Sequence, residues 1–369
     1  MSNSIRFLIL GIGNAQVDVL RHLKKNPGIE VHGLSNSKSG RGYEYVDFFS
    51  EVDISKREAV LEYARAQAID YIYSVGSDVA MPTVMWVAEQ QGLPHFVSSE
   101  TAFFCNTKQL LRNALKDTYG AVTFEVLDES LSVYEVSYPA MVKPVDSQGQ
   151  RGVTTVNSAD ELRSAYEHAV SFSRSKTVII ENKIEGPEIS VNTYVKDGEV
   201  IFYLPSDRLA WEGFDGGVIH KHLLPTTLTK QATENVRRLV TETLERLGIK
   251  NGPAYFQIKV HGEDPYLIEV TPRLDGCHMW HLIKKSTGVD LLDLTLKHLM
   301  GLAFSIPQDI KVTPSVLEFV CQPPGTAYRT PKNVRSHQYF ESYYVNGQKV
   351  SSMNGKMEKC GYFINVEQA

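Results

Sequence analysis

Cysteine is scarce in this 369-residue chain: only Cys105, Cys277, Cys321 and Cys360 occur, far apart and with no CxxC pair. That spacing argues against a zinc site and against a disulfide framework in a chain of this size. Long apolar runs are also missing. No stretch approaches the roughly 20 residues of a membrane span, and Phe7–Leu10 is too short for the apolar core of a signal peptide. There is no excess of positive charge either. Lysine and arginine total 38 against 43 acidic residues, a formal net charge of −5. A general nucleic-acid binder would carry the opposite balance. The expectation is a reduced, cytoplasmic protein that handles small molecules, with no nucleic-acid or membrane partner. It has no internal repeat and no low-complexity segment.

What is present is an ordinary globular composition, 42% hydrophobic and 22% charged. The length exceeds what one hydrophobic core usually serves, so two or three domains are expected. The first hundred residues alternate strand and helix signals. "RFLIL" (6–10), "EVHGLS" (30–35), "DYIYSV" (70–75) and "PHFV" (94–97) read as strands. Between them, helices are expected after Gly13, after a capping box of Ser55 and Glu58, and over Asp78–Gln91. This rhythm implies a parallel sheet covered on both faces. A helix follows over 106–118, capped by Asn106 or Thr107. "PAMVKPV" (139–145) reads as a strand, and Ser158 with Glu161 as a second capping box. Leu162, Ala165, Tyr166, Ala169 and Val170 keep a helical period. Segment 177–195 reads as strand, polar crossing, strand. Asn346-Gly347 suggests a hairpin near the C-terminus.

Four places carry candidate chemistry. "GIGNAQ" (11–16) follows the first strand, but Gln16 stands where a dinucleotide fingerprint wants Gly or Ala. No acid ends the second strand to hold a ribose. The motif reads mainly as a strand-to-helix turn. Lys143 lies inside an apolar strand, where burial is expensive without an anion. Ser147, Gly149 and Gly152 then form a loop whose N–H groups can approach a phosphate. The competing reading is an edge-strand lysine that reaches out to water. Glu181 ends an apolar strand, and Glu188 follows the crossing. Strand-end backbone there can read an adenine edge, and a carboxylate can accept from ribose hydroxyls; two surface glutamates on a hairpin are the blander alternative. Last, "PYLIEVTPRLDGC" (265–277) inserts Glu269 into a strand, with Thr271 and Arg273 at two-residue intervals and so on one face. Gln257, in "PAYFQIKV", converges with Glu269 across a hairpin turning at 262–264. Two oxygens of this kind suit Mg²⁺, which also takes phosphate oxygens and water. Arg273 suits a transferring phosphoryl group.

The order and spacing of these motifs resemble the ATP-grasp superfamily, from the N-terminal layer to about residue 305. The nearest kinship is with carboxylate–amine ligases related to the large chain of carbamoyl phosphate synthetase. The resemblance implies an α/β ATP-grasp fold in four parts. These are a Rossmann-like N-terminal domain (1–120), a small central α+β subdomain (121–195), a larger C-terminal α+β lobe (196–305) and a small β-rich segment (306–369). It implies Lys108 and Lys143 as phosphate contacts, with Ser147, Gly149 and Gly152 in the mobile loop. Glu181 and Ile184 match the adenine-reading positions, and Glu188 the ribose acid. Gln257, Glu269 and Thr271 match metal ligands, and Arg273 the catalytic arginine. The implied cofactors are ATP and Mg²⁺, or Mn²⁺ in its place. Three positions depart from the family pattern: Gln257 replaces an acid, Thr271 an asparagine, and Gln150 a serine. Arg208, Trp211, His220 and His222 fall near where the family holds substrate. Arg208 suits a carboxylate, His220 a base, and His278 a position facing the pocket. The implied reaction joins a small carboxylate to an amine through an acyl phosphate, and a homodimer is compatible with it. A nucleotide-binding regulator without turnover and a nicotinamide-dependent oxidoreductase are the rival classes.

Overall fold

Short apolar runs ended by glycine turns build the first layer: β1 (Ile5–Leu10), β2 (Ile29–Ser35), β3 (Phe48–Glu51) and β4 (Tyr71–Tyr73). In the computed structural model, which describes residues 4–147, 151–211, 218–332, 339–352 and 357–367, they form a sheet ordered β3-β2-β1-β4. All three pairings are parallel. Phe7–Leu10 are fully buried, as a strand covered on both faces requires. The fourth strand is therefore 48–51, not the expected 94–97. Pro94 lacks a donor, and Phe96 and Val97 drop into the core as the chain enters the helix Ser99–Asn106. Ser98 caps that helix by accepting from the Thr101 N–H at 3.0 Å. Neither expected capping box forms. Ser55 bonds back to Asp53, and Glu161 accepts from the Asn157 N–H at 2.9 Å. In both cases a nearer Asx or backbone partner wins. The expected helix over 106–118 spans Lys108–Leu115.

The second layer contains β5 (Phe124–Leu127), β6 (Ala140–Pro144), β7 (Thr154–Val156) and β8 (Val178–Asn182), ordered β5-β8-β6-β7. The helix Leu162–Phe172 packs Leu162, Ala165 and Ala169 onto it. Together they enclose a core of their own, separate from the rest of the chain's apolar interior. β6 lies between two neighbours, so Lys143 is not on an edge.

The third sheet has eight strands. They are β9 (Glu188–Lys196), β10 (Glu199–Ala210), β11 (Ile219–Leu224), β12 (Gly252–His261), β13 (Asp264–Thr271), β14 (Ser315–Gln322), β15 (Tyr339–Ser342) and β16 (Glu358–Val366). Their order is β13-β12-β9-β10-β11-β14-β16-β15. Sheet membership thus changes between Asn182 and Glu188, and β14–β16 extend the same sheet rather than standing apart. The chain does turn at Asn346-Gly347, but no hairpin of 344–352 results. The turn closes instead against Tyr328, whose carbonyl accepts from Gly347 at 2.8 Å. The first and third sheets share one continuous core. They meet where Gly76, after β4, approaches Gly276. Its φ is +64°, and a Cβ there would lie 2.5 Å from the Gly276 Cα, so only glycine fits.

Candidate active site

The hairpin β12–β13 carries the acid. Gln257 and Glu269 are direct partners in its register, as the sequence suggests. The next pair is Ile258 with Leu267, so Ile268 is the extra residue of a β-bulge. The bulge resets the alternation. Pro265 and Leu267 face the core before it and Val270 after it, which leaves Glu269 on the opposite face. The strand then stops at Thr271. The Arg273 N–H bonds the Thr271 carbonyl at 2.9 Å, so Arg273 sits on a tight turn and not on a continued strand. Its guanidinium is nevertheless brought beside the clamp. Nε donates to Asp78 Oδ1 at 2.7 Å and Nη1 to the Leu274 carbonyl at 2.9 Å. Asp78 follows β4, at the C-terminal edge of the parallel sheet where open α/β folds place ligands. Burial and the Asp78 charge push the Glu269 carboxyl above its ordinary range, against the pull of Lys108, Arg273 and Arg208.

Lys143 is buried on β6 and pairs with Glu181, its cross-sheet neighbour on β8. Glu181 also takes Arg112 Nε at 3.1 Å. Burial alone would raise this carboxyl, but the two cations outweigh it and hold it down to about 2. The Glu181 side chain is thus the counter-ion of the lysine. Arg112 also donates Nη2 to the Ile268 carbonyl at 3.0 Å, the backbone group exposed by the bulge. Lys108 lies one helical turn before Arg112 and donates to the Ser147 carbonyl at 2.8 Å. Burial lowers its ammonium pKa, with Glu269 and Lys143 among the charges that face it. Ile184 lies half-exposed in the crossing after β8. Gly149 falls outside the described residues. Gly152, at φ +77°, is turned into Phe172: a Cβ there would meet that side chain at 2.9 Å, which gives it a packing role.

Glu188 opens β9 and is half-exposed. It ion-pairs with Arg208 and accepts from Gln257 Nε2 at 2.7 Å. Donation by Nε2 leaves Gln257 Oε1 as the acceptor atom of that amide. The Thr271 hydroxyl is buried and has no hydrogen-bond partner among the described residues. An amide oxygen, a carboxylate and an orphaned hydroxyl, all hard oxygen donors, fit Mg²⁺.

Two proposed substrate residues are engaged elsewhere. His220 stacks on Trp211 at 4.0 Å and bonds Glu318 Oε1 at 3.0 Å. His278 is buried, bonding Asp18 Oδ2 at 3.0 Å and the Tyr343 hydroxyl at 2.7 Å while stacked on Tyr362. It anchors the turn after β13 to the N-terminal layer and does not face a pocket. Arg208 stays at the site, with Nε unpartnered. The sequence reading missed Asp78 and Arg112. Arg112 had a signal: Lys108, Leu111, Arg112 and Leu115 share one helical face. Asp78 had only its place after a strand.

Gln16 settles the first glycine turn. Its Oε1 accepts from the Gly13 N–H at 3.0 Å, and its amide also donates to the Val75 carbonyl. The side chain lies over the turn, where a Cβ at Gly11 would meet its Oε1 at 3.1 Å.

Residues 136–280 match the model of the ATP-grasp domain. The chain carries an ATP-grasp domain. It is 26% identical over 341 residues to the formate-dependent phosphoribosylglycinamide formyltransferase of Corynebacterium efficiens, covering 88% of this chain and 83% of that one. Among solved structures, the L-amino acid ligase of Bacillus licheniformis superposes with a TM-score of 0.81 at 19% identity, over 100% of this chain and 95% of that one. The biotin carboxylase domain dimer of the Hydrogenobacter thermophilus 2-oxoglutarate carboxylase, complexed with MgADP, ADP and bicarbonate, gives 0.80 at 17% identity. It covers 98% of this chain and 86% of that one. The ATP-grasp fold is therefore that of the whole chain, with the matched segment holding β6, β7 and β8 of the second sheet and β9 to β13 of the third. ATP and Mg²⁺ are the usual cofactors of such domains.

Proposed function

We propose that the protein is an ATP-dependent ligase that activates a small carboxylate as an acyl phosphate and joins it to an amine, releasing ADP and phosphate. The observation that carries this reading is the gathering of Lys108, Lys143, Gln257, Glu269, Thr271 and Arg273 around the bulged end of β13, between the second and third sheets. Carboxylates do not condense with amines at neutral pH because oxide is a poor leaving group. Transfer of the γ-phosphoryl group converts that oxygen into phosphate. Lys108 and Lys143 contact the phosphates of ATP, and Glu188 accepts from its ribose. Arg273 stabilises negative charge on the moving phosphoryl group, held in place by Asp78. Gln257, Glu269 and Thr271 would hold Mg²⁺, which would supply neutralisation of phosphate charge. Arg208 is placed for a substrate carboxylate. Positioning of the two substrates supplies much of the remaining acceleration.

The test is a screen of ADP release over a panel of acids crossed with amines. With ¹⁸O-labelled carboxylate, one label appears in inorganic phosphate. Stoichiometric AMP and pyrophosphate would overturn the acyl-phosphate route. ATP binding without turnover on any pair would favour a regulator.

A further inference from the structure

Beside the clamp, three buried side chains converge without satisfying one another. His222 lies on β11, whose neighbours β10 and β14 fix it in register opposite Arg208 and Leu317. Asp275 and Cys277 lie on the turn after Arg273, where the Cys277 N–H donates to Asp275 Oδ1 at 3.1 Å. One donor atom from each residue lies within 4.8 Å of the others. Their exposures are 0%, 4% and 9%. Among the described residues, neither ring nitrogen of His222 has a partner, and nor does Asp275 Oδ2. Leaving such groups buried and unpaired is unfavourable for the fold. His222 is held on a strand between two paired neighbours, and the turn that carries Asp275 and Cys277 begins at the Arg273 N–H bond to the Thr271 carbonyl.

We propose that His222, Asp275 and Cys277 form a metal site for a zinc-class transition ion, separate from the magnesium ligands on β12 and β13. The donor set decides the metal. One imidazole, one carboxylate and one thiolate suit Zn²⁺ and Co²⁺, whereas Mg²⁺ selects oxygen alone. Bonds of about 2.0–2.3 Å place tetrahedral ligands nearer than the observed spread, so modest closure of the turn toward β11 completes the site. Three protein ligands leave a fourth position for a substrate group, the pattern of reactive rather than structural zinc. Binding releases the Cys277 thiol proton to solvent.

Two of the three surrounding cations are paired. Arg208 is neutralised by Glu188 and Arg273 by Asp78. Lys359 Nζ lies 3.6 Å from Cys277 Sγ, positioned to donate to the thiolate as an outer partner. Burial, with Arg208 and Lys359 nearby, keeps His222 in the neutral form that ligates metals. Cysteine spacing could not show this site, because it uses one cysteine and a histidine from a distant strand.

The experiment uses the full chain, stripped by a chelator and held in excess Mg²⁺ so that the oxygen ligands of the clamp stay saturated. Titration with Co²⁺ should saturate at one equivalent and give a near-ultraviolet thiolate-to-cobalt band. Cys277→Ser should abolish the band, and His222→Ala and Asp275→Asn should weaken binding at least about tenfold. Glu269→Gln should leave the band unchanged. In the wild type, Zn²⁺ should raise the melting temperature by mass action even where the variants fold poorly. No thiolate band in the wild type, an unchanged band in folded Cys277→Ser, or no thermal shift with Zn²⁺ would each overturn the proposal.

Discussion

Arg273 and Asp78, 195 residues apart in the chain, share a hydrogen bond of 2.7 Å that ties the end of β13 to the edge of the N-terminal sheet. The arginine assigned to phosphoryl transfer is therefore oriented by a carboxylate from another layer. Asp78→Asn keeps the shape and removes the charge that fixes the guanidinium. We expect kcat to fall about 10–100-fold with little change in KM for ATP, because misplacement costs mainly in the transition state. Steady-state kinetics with varied ATP decide this, and an unchanged kcat would make Asp78 a structural partner only.

Arg112 is buried between Glu181 and the bulge carbonyl of Ile268. Arg112→Met leaves Glu181 with Lys143 alone and strands that carbonyl. Removing one partner from a buried charge network costs about 3–5 kcal/mol. Denaturant unfolding of the variant should show a lowered midpoint, and a loss below about 1 kcal/mol would contradict the assigned network.

Glu269 has its carboxyl held above the ordinary range by burial and Asp78. The folded chain therefore favours the protonated, neutral form, and at neutral pH the ionised group weakens the fold. Glu269→Gln should raise the melting temperature while reducing turnover by orders of magnitude, since the amide cannot supply the ligand charge. In the wild type, activity should fall on the acid side at a pH above that of an ordinary glutamate. Added Mg²⁺ should move that limb to lower pH by favouring the ionised form. A limb insensitive to Mg²⁺ would remove Glu269 from the metal.

Glu181 behaves in the opposite sense. Its folded pKa, about 2, lies below the ordinary value of 4.5. Stability from its two ion pairs is fully present above that ordinary value and is lost as pH falls through the folded one. Urea midpoints measured from about pH 5 to pH 3 should decline more steeply in the wild type than in Glu181→Gln, which lacks the titrating group. Parallel declines would place the acid sensitivity elsewhere.

Lys143→Ala should raise the KM for ATP and lower kcat together, because the proposed role of its cation is to contact phosphate before and during transfer. Glu181 keeps Arg112 as partner in this variant, and circular dichroism checks that the fold survives the lost pair. Unchanged ATP kinetics would leave Lys143 with a purely structural role.

Much of the site was legible because its chemistry is local. The pairing of Gln257 with Glu269 follows from two apolar strands and a glycine turn, and the need of Lys143 for an anion follows from its apolar strand. The four-residue run Phe7–Leu10 likewise announces a strand covered on both faces. What the sequence could not show depends on contacts between distant segments. The bulge at Ile268 exists only in the pairing of two strands, and it resets which side chains face the site. Asp78, Arg112 and Glu181 become a shared electrostatic framework only when three layers meet, since an ion pair has no sequence signature across 69 or 195 residues. His278 looked available on a turn, but packing against Asp18, Tyr343 and Tyr362 made it an anchor. The strand at 94–97 and both capping boxes failed for one reason: local propensity is worth about 1 kcal/mol, less than burying Phe96 or completing a nearer hydrogen bond. Local sequence determined the strands, the hairpin and the charged side chains placed on them, while tertiary packing decided which charges meet and which donors are left free for ligands.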